Sequence, residues 1–252
     1  MTEIAICGAC GKMGRFINDV ISERNDCEVC AGIDKFGEAY AEFPVVKEVS
    51  QLPSKPDVII DFSHPSALDA LLSYCLTNGV ALVIATTGYN DEDVAKIHKA
   101  SEQIPVFFTF NMTLGINLLA NLAKTAAKVL GGQYDIEIIE KHHNQKIDAP
   151  SGTAIMLADA INEELGKKYN YVYDRHSVRA KRSKTEIGMH SIRGGTIVGE
   201  HEIIFAGRDE VISLKHEAHS KQVFAVGAVN AGVFLCKKPA GLYDMSDLLA
   251  DM

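Results

Sequence analysis

The chain has 252 residues, 47% hydrophobic and 23% charged, with a formal net charge of -8 and a mean hydropathy of +0.03. That length buries a substantial core, as one large domain or two small ones, while the acidic balance argues against a nucleic-acid partner, whose usual footprint is a basic domain. No apolar run reaches the ~20 residues of a membrane span, and the first residues enter an apolar run without a basic segment ahead of it, so no membrane partner and no signal peptide are expected and the chain reads as cytoplasmic.

The first hundred residues alternate strand and helix. Residues 3–7 form a short apolar strand. From Gly14 to about Arg24 the spacing of Phe16, Ile17, Val20 and Ile21 predicts a helix. Strands follow at 28–34 and 57–62, the latter continuous enough to be buried on both faces. Pro65 suits the first turn of a helix that ends near Asn78 and Gly79. A strand at 81–85, a helix at 91–101 and a strand at 105–110 complete a βαβ series, which implies a parallel, doubly wound sheet of the Rossmann type with right-handed crossovers.

After Asn111 the pattern changes. Thr113 can cap a helix that runs to about Leu130, where Gly131 and Gly132 stop it. A strand at 134–141, a loop, a helix at about 151–165 and a polar stretch at 166–184 come next. Strands at 187–193, 200–206 and 211–217 follow, with Gly194 and Gly195, and then Arg208, Asp209 and Glu210, as hairpin connections. This is a second, α+β domain with an open mixed sheet. A last helix, about 222–234, returns to the first domain. The expected division is a dinucleotide-binding domain at 1–112 with 221–252, and a substrate-binding and oligomerisation domain at 113–220.

Two CxxC pairs, Cys7 with Cys10 and Cys27 with Cys30, have the spacing of a zinc ribbon. Local structure argues against a metal. Cys27 starts a strand that runs to about Asp34, and ~3.3 Å per residue carries it some 20 Å from the loop at Cys10. Four thiolates at ~2.3 Å from one zinc cannot be assembled that way. Reduced, mostly buried thiols are expected instead.

The first strand meets the first helix at Gly8, Ala9, Cys10, Gly11, Lys12, Met13 and Gly14. A diphosphate needs backbone N–H groups at close range with a helix N-terminus behind them, and the glycines permit the tight turn and close packing. Twenty residues on, at the end of the second strand, Asp34 can accept ribose hydroxyls. A lone glycine triad is also what a packed turn requires; the strand, helix, second strand and terminal acid make it a dinucleotide signal. The spacing is GxxGxxG, with Cys10 at the usual second glycine. Ser63 and His64, and Ala85, Thr86 and Thr87, also lie past strand ends, where open α/β sheets bind ligands; ordinary helix-start chemistry explains them equally.

The stretch from Glu137 to Ala154 begins on an alternating strand and ends at a helix start. His142, His143 and Lys146 lie within five positions just past the strand. Pro150, Ser151, Gly152 and Thr153 open a helix whose N–H groups welcome a carboxylate. Two imidazoles and an ammonium beside an anion site suit proton transfer to an anionic substrate. A solvated polar loop is the plain alternative. The His pair could also hold a metal, although no third ligand is evident.

In this stretch Glu140, His142, His143, Lys146, Asp148, Ala149, Pro150, Ser151, Gly152, Thr153 and Ala154 spell Glu-x-His-His-x-x-Lys-x-Asp-Ala-Pro-Ser-Gly-Thr-Ala. The sequence resembles the 4-hydroxy-tetrahydrodipicolinate (dihydrodipicolinate) reductase family over nearly its whole length. The glycine loop, Asp61-Phe62-Ser63, Ala85 to Gly88, Asn111 to Asn117 and Gly241 to Met245 fit in the same order. The resemblance implies an NAD(P)H-dependent reduction of a small cyclic dicarboxylate in lysine and diaminopimelate biosynthesis. It implies His142 as proton donor and acceptor and Lys146 as proton donor, with His143, Ser151, Gly152 and Thr153 on the substrate. It implies a cofactor site at Gly8 through Gly14 and Asp34, with Ala85, Thr86 and Thr87 on the nicotinamide side. Thr109, Phe110, Asn111 and Met112 match a further cofactor-contacting crossover. Ala85 stands where the family often has glycine. Lys35 stands where many members carry arginine, which leaves the preference open and points to use of both NADH and NADPH. The resemblance also implies a homotetramer, and the polar and apolar alternation of the second sheet leaves one face in need of cover.

Two other readings fit part of the pattern. A semialdehyde dehydrogenase shares the first domain but gives no reason for the His142 to Thr153 motif. A dinucleotide-sensing module has no need of Lys146 and His142 beside a nicotinamide, although fold alone does not decide function.

Overall fold

The computed structural model describes residues 1–109 and 111–252; Phe110 lies outside them. The chain divides into two compact units, Met1–Leu114 with Lys221–Met252, and Gly115–Ser220.

The first unit is built on β1 (Thr2–Cys7), α1 (Lys12–Ser22), β2 (Cys27–Ile33), β3 (Val45–Val46), β4 (Val58–Asp61), α2 (Leu68–Asn78), β5 (Ala81–Ile84), α3 (Asp91–Ser101) and β6 (Pro105–Phe108). Its seven strands pair in the order β12-β6-β5-β4-β1-β2-β3, where β12 (Gly241–Tyr243) arrives from the end of the chain. Every pairing is parallel. Strands β4 and β5 are buried at every position because helices cover both faces. On one side α1 and α6 (Gln222–Leu235) pack through Ile17, Val20, Ala228, Ala231 and Leu235. On the other, α2 and α3 pack through Leu68, Leu71, Leu72 and Ile97. The strand order reverses between β1 and β4, and the crevice at such a switch point is where doubly wound sheets bind ligands.

Local chemistry sets the helix ends. Asn90 caps α3 in a reciprocal pair with Asp93, and acids fill the first turn while His98 and Lys99 fill the last. Gly79 ends α2 in the left-handed region at φ +61°. The register of β1 and β2 sets Cys27 opposite Thr2 and Cys7 opposite Ile33. Cys7 and Cys27 therefore lie at opposite ends of one strand pair, as the zinc argument requires.

The second unit holds α4 (Leu114–Leu130), β7 (Asp135–His142), α5 (Gly152–Glu164), β8 (Asn170–Val172), β9 (Glu186–Arg193), β10 (Gly199–Ala206) and β11 (Val211–Ala218). Its sheet runs β11-β10-β7-β9-β8. Here the sequence reading needs correction. Gly194 and Gly195 do not close a hairpin, because β9 pairs parallel to β7 on one side while β10 pairs antiparallel to β7 on the other. The strand formed far earlier, β7, is the better partner for both: it alternates Ile136, Ile138, Glu140 and His142 inward. The hairpin of β10 and β11 does form. Ile136, Ile138, Ile203 and Phe205 pack against α4 and α5. The opposite face mixes apolar and charged groups, with Ile192 and Val211 exposed and Lys141 paired to Glu200 at 2.8 Å. Arg175 and Arg182 fasten the polar stretch to β7 through Glu137, at 2.6 and 3.0 Å. The short strands β3, β8 and β12 and the last helix, α7 (Met245–Ala250), complete the two units. Among the described residues no helix is long and apolar enough to cross a membrane.

Two glycines at helix starts make a contrast. A methyl group on Gly14 would meet the Ala9 carbonyl oxygen at 2.5 Å and its Cα at 2.6 Å, whereas one on Gly152 would meet nothing within 4 Å. Gly14→Ala is therefore expected to lower stability by ~1–3 kcal/mol or more, the range for overpacking against atoms that cannot give way. Gly152→Ala is expected to be neutral or slightly stabilising, since alanine is the better helix former. Denaturant midpoints of the two variants against wild type check both signs.

Candidate active site

In the first unit the chain leaves β1 through Gly8 at φ +79°. A side chain there would strike the Phe62 carbonyl oxygen at 2.5 Å, so the turns after β1 and β4 touch at the switch point. Gly11 caps α1 in extended conformation; no side chain caps this end and no acid lies in its first turn. A helix start left so electropositive is fit for a diphosphate, and the residues present match a dinucleotide on that ground. Ala9 and Gly14 are buried, while Gly11 and Lys12 are exposed and Met13 lies half-buried between them.

Asp34 stands just past β2, and its carboxylate is already occupied on three sides. One oxygen accepts the Cys10 N–H at 3.0 Å, and the other accepts those of Phe36 and Gly37 at 3.1 and 3.0 Å. A carboxylate has about four acceptor directions. One remains for a ribose hydroxyl, and Asp34 also fastens the glycine loop. Lys35 is exposed with its ammonium 5.8 Å from the Phe36 ring centre. Arg15 lies over the Tyr40 ring and donates to the Cys10 carbonyl at 3.3 Å.

At the ends of β4 and β5 a buried carboxyl ties the turns together. Asp61, fully buried, accepts from the Ser63 N–H at 3.1 Å and from Tyr89 at 3.3 Å. The Ser63 N–H also reaches Thr86 Oγ1 at 2.9 Å. Burial raises the Asp61 carboxyl above the ordinary range, against the hydrogen bonds of Ser63 and Thr86. Thr86 is buried in this cluster while Thr87 faces solvent and Ala85 lies between. Farther along, Asn111 accepts the Thr113 N–H at 2.8 Å at the start of α4. Met112 is buried in the core beside α6.

In the second unit the centre is Glu140, 1% exposed on its side chain. One carboxylate oxygen accepts His142 Nδ1 at 2.6 Å and Arg193 Nη1 at 2.8 Å. The other accepts Arg193 Nη2 at 2.7 Å and the Ser151 N–H at 3.1 Å. Burial would raise this carboxyl, but Arg193 and His142 override it and hold it at about 2. His142 is lowered, chiefly by burial, which outweighs the opposing pull of Glu140. Ser151 is buried as the cap of α5: its hydroxyl accepts the Ala154 N–H at 3.2 Å and meets His201 Nε2 at 3.0 Å. The rings of His142 and His201 stand edge to face at 5.2 Å.

Lys146 Nζ meets the Asp148 carboxylate at 2.8 Å. The Asp148 carboxyl is lowered, first by that lysine and further by the Gly152 backbone. A carboxylate thus lies on the lysine near the start of α5. His143 is half-buried on the same loop, its carbonyl accepting the Lys146 N–H at 3.2 Å. The structure brings His142, Lys146, Ser151 and Gly152 together around one helix start. It also adds three residues to which the motif reading gave no role: Glu140, Arg193 and His201. Glu140 was legible, since it precedes His142 by two on an alternating strand and shares its inward face. Arg193 and His201 needed the true strand pairing, which sets Arg193 beside His142 and His201 beside Glu140.

An uncapped helix start at a sheet switch point, and in the other unit a charge-backed imidazole beside a lysine, are the parts of a nicotinamide-dependent reductase. Family models narrow the class. The model for the N-terminus of dihydrodipicolinate reductase matches residues 2–112, and that for its C-terminus matches 115–249. The chain belongs to the dihydrodipicolinate reductase family. It is 47% identical over 249 residues to a 4-hydroxy-tetrahydrodipicolinate reductase of Clostridium tetani, covering 99% of this chain and 97% of the other. It is also 47% identical to one of Caldanaerobacter subterraneus, covering 99% and 98%. Among solved structures, the dipicolinate-bound dihydrodipicolinate reductase of Paenisporosarcina sp. TG-14 matches with a TM-score of 0.80 at 28% identity, covering 97% of both chains. A probable dehydrogenase of Thermotoga maritima shares the fold at a TM-score of 0.61 and 12% identity, covering 98% of this chain and 92% of the other.

The buried His201 makes stability depend on pH. Burial, helped by the neighbouring His142, lowers it from 6.5 to about 4. Between those values the unfolded chain binds a proton that the folded one refuses, so stability present above pH ~6.5 is lost as pH falls toward ~4. The loss from this group is on the order of 3 kcal/mol, and His142 and His216, also lowered by burial, act in the same direction. Urea unfolding followed across this range is expected to show the decline in wild type and a flatter one in His201→Gln. An equal slope in the variant would assign the decline to other groups.

Proposed function

We propose that this chain acts on 4-hydroxy-tetrahydrodipicolinate, which loses its 4-hydroxyl as water to give dihydrodipicolinate, and reduces that conjugated imine to tetrahydrodipicolinate with NADH or NADPH, a step in lysine and diaminopimelate biosynthesis. The observation that carries the reading is that Lys146 holds a carboxylate, here that of Asp148, at 2.8 Å beside the start of α5, whose Ser151 shares Glu140 with His142. A cyclic dicarboxylate presents the same group to the same partners. We assign one substrate carboxylate to the Gly152 and Thr153 amides with His143, where it takes the place of Asp148. Ser151 keeps that helix start in position through its bonds to Glu140 and His201.

The glycine loop from Gly8 to Gly14 would hold the cofactor diphosphate and Asp34 a ribose hydroxyl. Ala85, Thr86 and Thr87 would line the nicotinamide side, and the crossover at Thr109 and Asn111 would make a further contact with the cofactor. The bound cofactor supplies a hydride to the conjugated imine system of the substrate. The negative charge that results is matched by the Lys146 ammonium, which donates the proton and stabilises the charge as it develops. His142 is the second proton-handling group beside it. The proposed setting is the cytoplasm. The proposed assembly is a homotetramer, in which packing of sheet on sheet would cover Ile192 and Val211.

A coupled assay tests the reading: aspartate semialdehyde, pyruvate and a dipicolinate synthase supply the substrate, and nicotinamide absorbance reports reduction. Lys146→Ala is expected to lower turnover by ~10²–10⁴-fold with cofactor affinity nearly unchanged, and His142→Ala to act similarly with a smaller effect. Near-normal turnover in Lys146→Ala, or an equal loss of NADH binding, would remove the lysine from the reaction.

Cofactor choice rests on Asp34 and Lys35. Asp34 repels a 2′-phosphate of roughly -1.5 to -2 charges, and Lys35 offsets that as a point charge without the bidentate grip of arginine. Both cofactors are expected to serve, NADH equally or modestly better. Lys35→Ala is expected to weaken NADPH alone. Asp34→Ala is expected to weaken both cofactors, because it releases the Cys10, Phe36 and Gly37 amides as well as the ribose. Comparing kcat/KM for both cofactors at low and high salt decides it; rejection of either by wild type beyond ~10³-fold, about 4 kcal/mol, would refute the balance.

A further inference from the structure

We propose that Glu140 is the positioning residue of the proton-handling site: its carboxylate fixes which nitrogen of His142 carries hydrogen and ties that imidazole to the start of α5. The inference rests on the reading of His142 given above. Four donors converge on the two carboxylate oxygens, two on each: His142 Nδ1 with Arg193 Nη1, and Arg193 Nη2 with the Ser151 N–H. An ionised carboxylate only accepts. The hydrogen of the neutral imidazole must therefore sit on Nδ1, and Nε2 is left to exchange protons. Gly199 lies against this edge of the ring, where an added methyl group would come within 3.2 Å of Nε2, so the absence of a side chain at position 199 keeps that nitrogen from being crowded.

Glutamine cannot replace this group. Whichever way its amide turns, an NH2 faces two donors, and a buried donor without an acceptor is strongly unfavourable. Arg193 has a separate task. Its two nitrogens keep the carboxylate ionised and cancel its charge, so the pair holds His142 without forcing it to remain protonated. Arg193 Nη2 also donates to the Asp148 carbonyl at 2.6 Å. One buried pair thereby ties together the imidazole, the loop that carries Lys146 and the first residues of α5. The charged and titratable groups around His142 are Glu140 on its own strand, Arg193 on β9, His201 on β10, and Lys146 with its partner Asp148 on the loop. Of these Glu140 favours the protonated ring, while Arg193 and Lys146 oppose it.

The test is magic-angle-spinning NMR of 15N-histidine-labelled protein, with the His142 signals assigned by their loss in His142→Asn. Wild type is expected to show the Nδ1–H tautomer at neutral pH. An Nε2–H tautomer overturns the proposal, and this measurement needs no variant of Glu140 to fold. In Glu140→Gln the tautomer is expected to become mixed or reversed. Turnover is expected to fall ~10²-fold or more with the KM for cofactor unchanged, and the His142-dependent limb of the pH profile to move to lower pH. Glu140→Asp, which keeps the charge, is expected to retain the Nδ1–H tautomer and recover part of the rate. A Glu140→Gln protein with wild-type turnover, or one that loses turnover while His142 stays Nδ1–H, overturns the proposal. If wild type carries the Nδ1–H tautomer yet fails to reduce the substrate in the coupled assay, the reading of the reaction fails and the positioning role stands.

Discussion

A carboxylate shut away from water has to be matched atom for atom, and in the second unit that demand falls on Glu140. Its neighbours on the inward face of β7 are Ile136 and Ile138, so nothing solvates it except groups the fold delivers. Arg193 comes from β9, the Ser151 amide from the start of α5, and the imidazole from two residues farther along the same strand. The parallel pairing of β9 with β7 is what delivers the arginine. A buried ion pair of this kind is weak evidence of stability, since its desolvation offsets much of its attraction. What it supplies is a fixed relation between strand, loop and helix in a region otherwise made of turns.

The first unit meets a different constraint with different means. Its parallel strands end in turns that must pass close to one another where the strand order reverses, and the glycine at position 8 is what lets the turn after β1 approach that after β4. Behind those turns the protein uses polar side chains as fasteners. Asp34 joins the Cys10 amide of the glycine loop to those of Phe36 and Gly37, and Asp61 joins the Ser63 amide after β4 to the Tyr89 hydroxyl after β5. Each carboxylate thus shapes the backbone of the turns it joins, which is why removing its charge has effects beyond the loss of one contact.

The sequence made much of this legible, for identifiable reasons. In the first unit the information is local: an apolar run, a glycine turn and an amphipathic helix each declare themselves within a few residues, and their alternation implies a parallel sheet with right-handed crossovers. In the second unit it is not. Gly194 and Gly195 are good turn residues, yet whether a turn joins neighbouring strands depends on β7, some fifty residues earlier, and no local signal reports it. The short strands β3, β8 and β12 were illegible because three residues or fewer carry no period. The motif from Glu140 to Ala154 displayed its chemistry openly, but the partners that make it work, Arg193 and His201, lie on other strands and become visible only once the register is known.

The two units also differ in how the chain composes them. The second is one uninterrupted stretch, Gly115–Ser220, whereas the first closes only when Lys221–Met252 returns to it. The returning segment supplies α6, which shares one face of the parallel sheet with α1, and β12, which takes the outer edge beside β6. During synthesis the first hundred residues therefore emerge with an uncovered apolar face and an unpaired edge, and must wait for more than a hundred others before either is protected. Order of completion is thus opposed to order along the chain: the unit begun first is the one closed last.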